Sequence, residues 1–443
     1  MKKNGIAGYG LAGLVLLLSI VGPTAAFAQG SAPVVAKIDT GDTAWVLASA
    51  GLVLLMTPGL AFFYGGLVRR KNVLSILMQC FMAMCLVTLQ WVLFGYSLAF
   101  GPDVHGLIGS LKWAFLATVG ANPNPDYAAT IPQTAFMAFQ LKFAIITPAL
   151  ILGAFAERMR FSAFCLFTLL WATLVYDPVA HWVWGVGGFL RTMGALDFAG
   201  GTVVHITAGM AALAAALVLG KRVGPTSPPH NLPLAILGAG MLWFGWFGFN
   251  AGSALGANGL AANAFVTTHI ATAAAGMTWA ILDWAFHRKA TTLGMITGAV
   301  AGLVSITPAC GFVTPINAIW IGIGASVVCF IFVTFVKAKF GYDDTLDAFG
   351  VHGMGGIWGA LATGLWATQS VNPAGVNGLF YGNPAQFLIQ LKTTAITMLF
   401  SFTASFALLK LVDFLVGLRV SEQEERVGLD LTQHREAAYT MLD

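Results

Sequence analysis

About 20 consecutive apolar residues suffice to cross the hydrocarbon of a bilayer, and this chain of 443 residues repeats runs of that length from residue 43 almost to its end. Only 9% of its residues are charged, against roughly 25% in an ordinary soluble domain, so the runs predict one large, all-α integral membrane domain. The formal net charge of +4 sits in short clusters between runs, which gives nucleic acid no surface to bind. Residues 1–28 read as a cleavable secretory signal: Lys2 and Lys3, then "LAGLVLLLSIVG", then Ala26-Phe27-Ala28 before Gln29. The five cysteines lie in or beside apolar segments without metal-type spacing and read as buried thiols.

Eleven spans are expected to begin near residues 43, 72, 131, 161, 200, 232, 260, 291, 316, 347 and 386. Basic residues fall in every second connection: Arg69 to Lys71, Arg158 and Arg160, Lys221 and Arg222, Arg288 and Lys289, Lys337 and Lys339, then Arg419. Those connections face the cytoplasm by the positive-inside rule, which leaves the mature N-terminus outside and the C-terminus inside. The domain plan is an external segment 29–42, a membrane domain 43–418 and a charged cytoplasmic tail 419–443. Because "LDFAGGTVVH" opens the fifth span and "DAFGVHG" the tenth, each with an Asp and a His across glycine, the spans divide as a five-plus-five inverted repeat plus one.

An ionisable side chain at the centre of a span costs about 2.5–3.5 kcal/mol on insertion scales, so each one marks a candidate site. His205 and His352 hold matching places in the two halves and form the leading pair, expected to face each other within hydrogen-bond reach as a proton relay. A metal needs three or four ligands, and no Cys or carboxylate stands one turn from either His. Asp197 starts the fifth span, where it caps free N–H groups or shapes the field a cation meets. "GWFGFNAGS" gathers Trp246, Phe249 and Ser253 at the outer end of the sixth span; Phe139 and Phe143 stand four apart on the third, and Trp184 closes the fourth. A small cation can sit on such aromatic faces and donate to the hydroxyl.

Read together, "GAFAERMRFSA", "AHWVWG", "LDFAGGTVVH", "PHNLPL", "GWFGFNAGSA", "TPACGFV", "DAFGVHG" and the tail "VGLRVSEQEERVGLDLTQH" resemble a bacterial ammonium transporter of the Amt/Mep/Rh family over essentially the whole mature chain. The resemblance implies a homotrimer in the inner (cytoplasmic) membrane with one pore per subunit. It implies an external site for ammonium, or methylammonium, built from Phe139, Trp184 and Ser253. Phe143 and Phe249 would close the vestibule, with the twin histidines His205 and His352 below and Asp197 and Trp246 in support. It also implies a PII-type signalling protein docking at the tail.

Two residues depart from that pattern: Lys142, between Phe139 and Phe143, and Asp177, in "VYDPVAHW". Their depths overlap, so the sequence predicts an ion pair between the third and fourth spans. A transporter is the first reading of function and an ammonium sensor with little flux the second. A membrane enzyme lacks a metal set, a cofactor motif or an activated nucleophile in this sequence.

Overall fold

The computed structural model describes residues 37–224 and 228–439; the leader 1–28 and residues 29–36 of the external segment lie outside them. Among the described residues nine helices are long and apolar enough to cross a membrane. They are α1 (Thr40–Leu67), α2 (Arg70–Phe100), α3 (Gln133–Phe155), α4 (Phe161–Met193), α5 (Gly201–Leu219), α6 (Leu232–Gly252), α7 (Gly259–His287), α9 (Pro315–Phe340) and α11 (Pro384–Val416). Two shorter apolar helices complete the bundle: α8 (Thr292–Ile306), and α10, a π-helical turn Phe349–Gly353 running into Met354–Trp366. The helices start within three residues of the positions expected, the largest offset being at Thr40.

Local chemistry sets these starts. The side chains of Asp39, Asn231, Asn258 and Thr291 each accept a backbone N–H in the first turn of α1, α6, α7 and α8. Lipid supplies no hydrophobic drive between helices, so close approach depends on small residues. Along α1 and α6, a Cβ on Gly238 would lie 2.2 Å from the Phe63 nitrogen, and one on Gly245 would lie 2.3 Å from Met56 Cγ. Among the described residues five π-helical turns interrupt the bundle, at Trp91–Gly95, Ala172–Tyr176, Gly201–Ile206, Phe332–Val336 and Phe349–Gly353. Such turns insert a residue and gather at functional sites; here two of them carry His205 and His352.

The correspondence between the two histidine helices differs from the one expected. Asp197 caps α5 with both oxygens, Oδ1 accepting from Gly200 and Gly201 and Oδ2 from Thr202 and Val203, at 2.7–3.1 Å. The residue that does this for α10 is Asp344, which accepts from Ala348 at 3.0 Å and Phe349 at 2.8 Å. Asp347 instead pairs with Lys337 at 2.7 Å. Asp344 lies eight residues before His352, as Asp197 does before His205.

The tail folds back onto the bundle as α12 (Glu422–Val427), opened by a Ser421/Glu424 capping box, and α13 (Leu429–His434). At the other end, a two-stranded hairpin, β1 (Asp103–Val104) and β2 (Ile108–Gly109), packs on the C-terminal part of α4, where Trp182 Nε1 donates to the Leu107 carbonyl at 2.7 Å.

Candidate functional site

A cavity enters the bundle at each end. The one distant from the tail has a volume of about 190 Å³ and is lined by Tyr127, Gln140, Phe143, Trp184 and Ser253 among others. The one on the tail side, about 470 Å³, reaches His352 past Tyr64, Arg222, Lys337 and Asp347. Between them runs a file of rings. Trp184 meets Phe143 edge-on at 5.9 Å, Phe143 lies 4.3 Å from Phe249, Phe249 lies 6.0 Å from His205, and His205 lies 5.4 Å from His352, all between ring centroids. Phe143, Phe249 and His205 are 1% exposed or less and His352 4%, so these four rings are buried.

Each wall is fixed from behind. Trp184 donates its indole N–H to the Asp197 carbonyl at 2.9 Å, which ties the mouth to the cap of α5. Trp246 stacks on His205 at 5.4 Å and donates to Thr307 Oγ1 at 2.8 Å. Ser253 donates to the Phe249 carbonyl at 2.8 Å, leaving its oxygen lone pairs toward the mouth. Phe139 stands apart from the other mouth residues: fully buried, it packs edge-on behind Phe143 at 5.0 Å and is not among the residues lining the cavity.

The histidines meet, but without the hydrogen bond expected. Their ring planes lie within 17° of parallel with centroids 5.4 Å apart, and both nitrogens of His205 and Nδ1 of His352 lack a hydrogen-bond partner among the described residues. The backbones behind them touch at glycine: a Cβ on Gly209 would lie 2.1 Å from Gly353 Cα.

The ion pair between Lys142 and Asp177 does not form. Asp177 is fully buried and takes Gln90 Nε2 of α2 at 2.6 Å, while Lys142 stays half-buried on α3. The π-helical turn Ala172–Tyr176 immediately precedes Asp177, and its extra residue rotates the remainder of α4 by about 100° relative to a regular helix. Sequence reasoning also passed over Gln90, Asp344 and the mouth residues Tyr127 and Gln140. Asp344 carried a readable signal, the repeated spacing of eight residues to a histidine.

On the tail side an ionic network joins loops to tail. Glu157, held at φ +72°, accepts from the Arg69 N–H and Nε, Asn72 Nδ2 and Arg222 Nη1 at 2.7–3.1 Å, and Arg222 also pairs with Asp343 at 2.9 Å. Burial alone would raise the carboxyls of Glu157 and Asp343, but Arg69 and Arg222 outweigh it and hold both below the ordinary range. Burial lowers Arg158 to about 10 against the opposing field of Asp343. The tail reaches this network where Leu429 N–H donates to Asn72 Oδ1 at 2.8 Å and Glu425 Oε1 accepts from the Val223 N–H at 2.5 Å.

A bundle of apolar helices around a buried file of rings, with a cavity at each end, is the build of a membrane transport protein. The chain belongs to the Ammonium Transporter Family, whose profile matches residues 44–439. It is 56% identical over 400 residues to a Bacillus subtilis ammonium transporter, covering 90% of this chain and 98% of that one. It is 48% identical over 404 residues to Archaeoglobus fulgidus ammonium transporter Amt1, covering 90% and 99%. Among solved structures, Candida albicans Mep2 superposes with a TM-score of 0.84 at 36% identity over 91% of each chain. A protein described as a sensor Amt protein superposes with a TM-score of 0.82 at 30% identity over 89% of this chain and 98% of that one.

Proposed function

We propose that this protein carries ammonium inward across the bacterial cytoplasmic membrane, and the observation that carries this reading is the file of rings from Trp184 to His352 between the two cavities. Ammonium leaves part of its water in the mouth, where the faces of Phe143 and Trp184 attract a cation, Ser253 accepts a hydrogen bond, and Phe139 backs the site. The Phe143–Phe249 constriction then excludes hydrated ions. Beyond it the unpartnered ring nitrogens of His205 and His352 accept from the substrate or relay its proton. Potassium has no hydrogen to donate there. Asp197 and Trp246 keep His205 in line.

In the same reading α1–α11 are eleven spans, α1–α5 and α6–α10 being inverted halves, with residues 1–28 removed as a leader, residues 29–42 outside and the tail 419–443 in the cytoplasm. The basic residues of alternate connections support that orientation. Three copies assemble, each with its own path, and a PII-type protein docks on the tail as a regulator. The likeness to a sensor Amt protein favours a second reading, in which ammonium binds at the mouth with little flux.

Current and uptake in proteoliposomes decide between the two. Transport predicts saturable ammonium and methylammonium uptake with exclusion of potassium, and loss of flux or of that selectivity in His205→Ala. Binding without flux would select the sensor. A His205→Ala protein with unchanged flux and selectivity would refute the histidine relay.

A further inference from the structure

Asp177 is the carboxyl that the ring file does not use. It is fully buried, on the outer half of α4, and no Lys, Arg or His comes within ion-pair distance of it among the described residues. Its partner is a neutral amide. Gln90 Nε2 spends its two N–H groups on Asp177 Oδ2 at 2.6 Å and on Thr173 Oγ1 at 3.3 Å. That leaves two buried oxygens without any donor, Asp177 Oδ1 and Gln90 Oε1. Both belong to the two planar forks already joined through Nε2 and Oδ2.

A carboxylate cannot complete this arrangement, because it has only acceptors to offer. It would also stand as an unpaired charge in hydrocarbon, the state proteins avoid by neutralising the group. A carboxylic acid completes it. One proton on Oδ1, donated to Gln90 Oε1, satisfies both oxygens and closes a ring of two hydrogen bonds, N–H to Oδ2 and O–H to Oε1. We propose that Asp177 carries its proton and forms a neutral acid–amide pair with Gln90 that positions the outer half of α4.

The surroundings are built for such a pair. Gly95 flanks the amide, and a Cβ there would lie 2.5 Å from Gln90 Oε1 and 2.7 Å from Nε2, so a side chain would push the amide out of the plane of the ring. Gln90 ends the regular part of α2 just before the π-helical turn Trp91–Gly95, and Asp177 comes directly after the one at Ala172–Tyr176. Both helices widen into i→i+5 backbone bonding at this level, and the pair ties them side by side there. Farther outward the same helices are tied again, His181 bonding the Ala99 carbonyl at 3.0 Å and Asp103 at 2.8 Å. These two ties fix the rotation of the segment that ends at Trp184. Asp177 and Gln90 are therefore positioning residues for the mouth.

The test uses the full-length protein in lipid and infrared difference spectra of wild type against Asp177→Asn. Asparagine keeps the fork and its neutrality, accepting from Gln90 Nε2 and donating to Oε1. The expected result is loss of one protonated-carboxyl C=O band in the variant, ammonium uptake within about twofold of wild type for Asp177→Asn, and a loss of about tenfold or more for Asp177→Leu, which strands the amide. In Gln90→Leu the band persists but moves to higher frequency, because the acid has lost both hydrogen bonds. The proposal is overturned if no acid band disappears in Asp177→Asn, if the band is unmoved in Gln90→Leu, or if Asp177→Asn falls as far as Asp177→Leu. The spectra do not depend on ammonium transport. A wild-type protein that imports nothing would refute the proposed function and leave the band to decide the pair.

Discussion

Replacing Gly209 by alanine adds one methyl group at the point where the two histidine helices touch. The new Cβ would lie 2.1 Å from Gly353 Cα and 2.2 Å from its nitrogen. Carbon atoms rest at about 3.5–4.0 Å, so α5 and α10 must part by about 1.5 Å. The obstacle is backbone and cannot rotate away. The two rings, 5.4 Å apart in the wild type, would separate to about 7 Å on that contact distance. Overpacking of this kind costs about 1–3 kcal/mol of stability, and a misplacement of an ångström or more at a reacting site lowers rate by on the order of tenfold or more. Gly353→Ala is the control. Its Cβ would meet Phe349 Cδ2, a side-chain atom that can shift, at 2.7 Å, and Gly209 Cα only at 3.4 Å. Uptake in proteoliposomes and thermal unfolding in detergent should therefore rank wild type above Gly353→Ala and Gly353→Ala above Gly209→Ala. A Gly209→Ala protein with wild-type melting and flux, or one milder than Gly353→Ala, would refute the reasoning.

Asp344→Ala should impair uptake as Asp197→Ala does, with a smaller loss of thermal stability because it frees two helix N–H groups instead of four; equal melting of the two variants would contradict the caps. The carboxyls of Glu157 and Asp343 are held below their unfolded values, so the stability they contribute is present in full above the ordinary carboxylate range and is lost as pH falls through the depressed folded values. Melting of the wild type across an acid series should fall in that window, with a shallower decline in Glu157→Gln. Truncation after Arg419 removes the bonds to Asn72 and Ser75, so hydrogen exchange at residues 69–75 should accelerate; unchanged protection there would show that the tail does not hold this loop.

Length and polarity made the helices legible, since each apolar run is long enough to locate its own start. His205, His352 and Asp197 were legible for the same reason: polar groups stand out against lipid-facing sequence. Side-chain direction was not. The pairing expected of Lys142 and Asp177 supposes a regular helix, and the π-helical turn Ala172–Tyr176 breaks that regularity without a sequence signature. The parallel set of the histidine rings was hidden likewise, both rings sitting in such turns. Proximity to glycine favours Asp347 over Asp344 in the sequence, although the spacing of eight already points to Asp344. Phe139, placed on one face with Phe143 by its spacing of four, does share that face, but one ring covers the other.

The capped starts of α5 and α10 have an electrostatic consequence. The two helices enter from opposite ends, yet each carries its histidine in its opening π-helical turn, and the rings stand 5.4 Å apart. Two helix N-termini are thus brought to one neighbourhood. Each behaves as about half a positive elementary charge, so together they present about one whole charge beside the rings. Asp197 and Asp344 each set a carboxylate on one terminus, bonded to its own N–H groups and away from the rings. Two full negative charges thus outweigh about one positive charge and leave the neighbourhood negative on balance. In the transport reading proposed above, a path between opposed helix ends admits a positive ion because the charge that would repel it is outweighed beside the path, not within it.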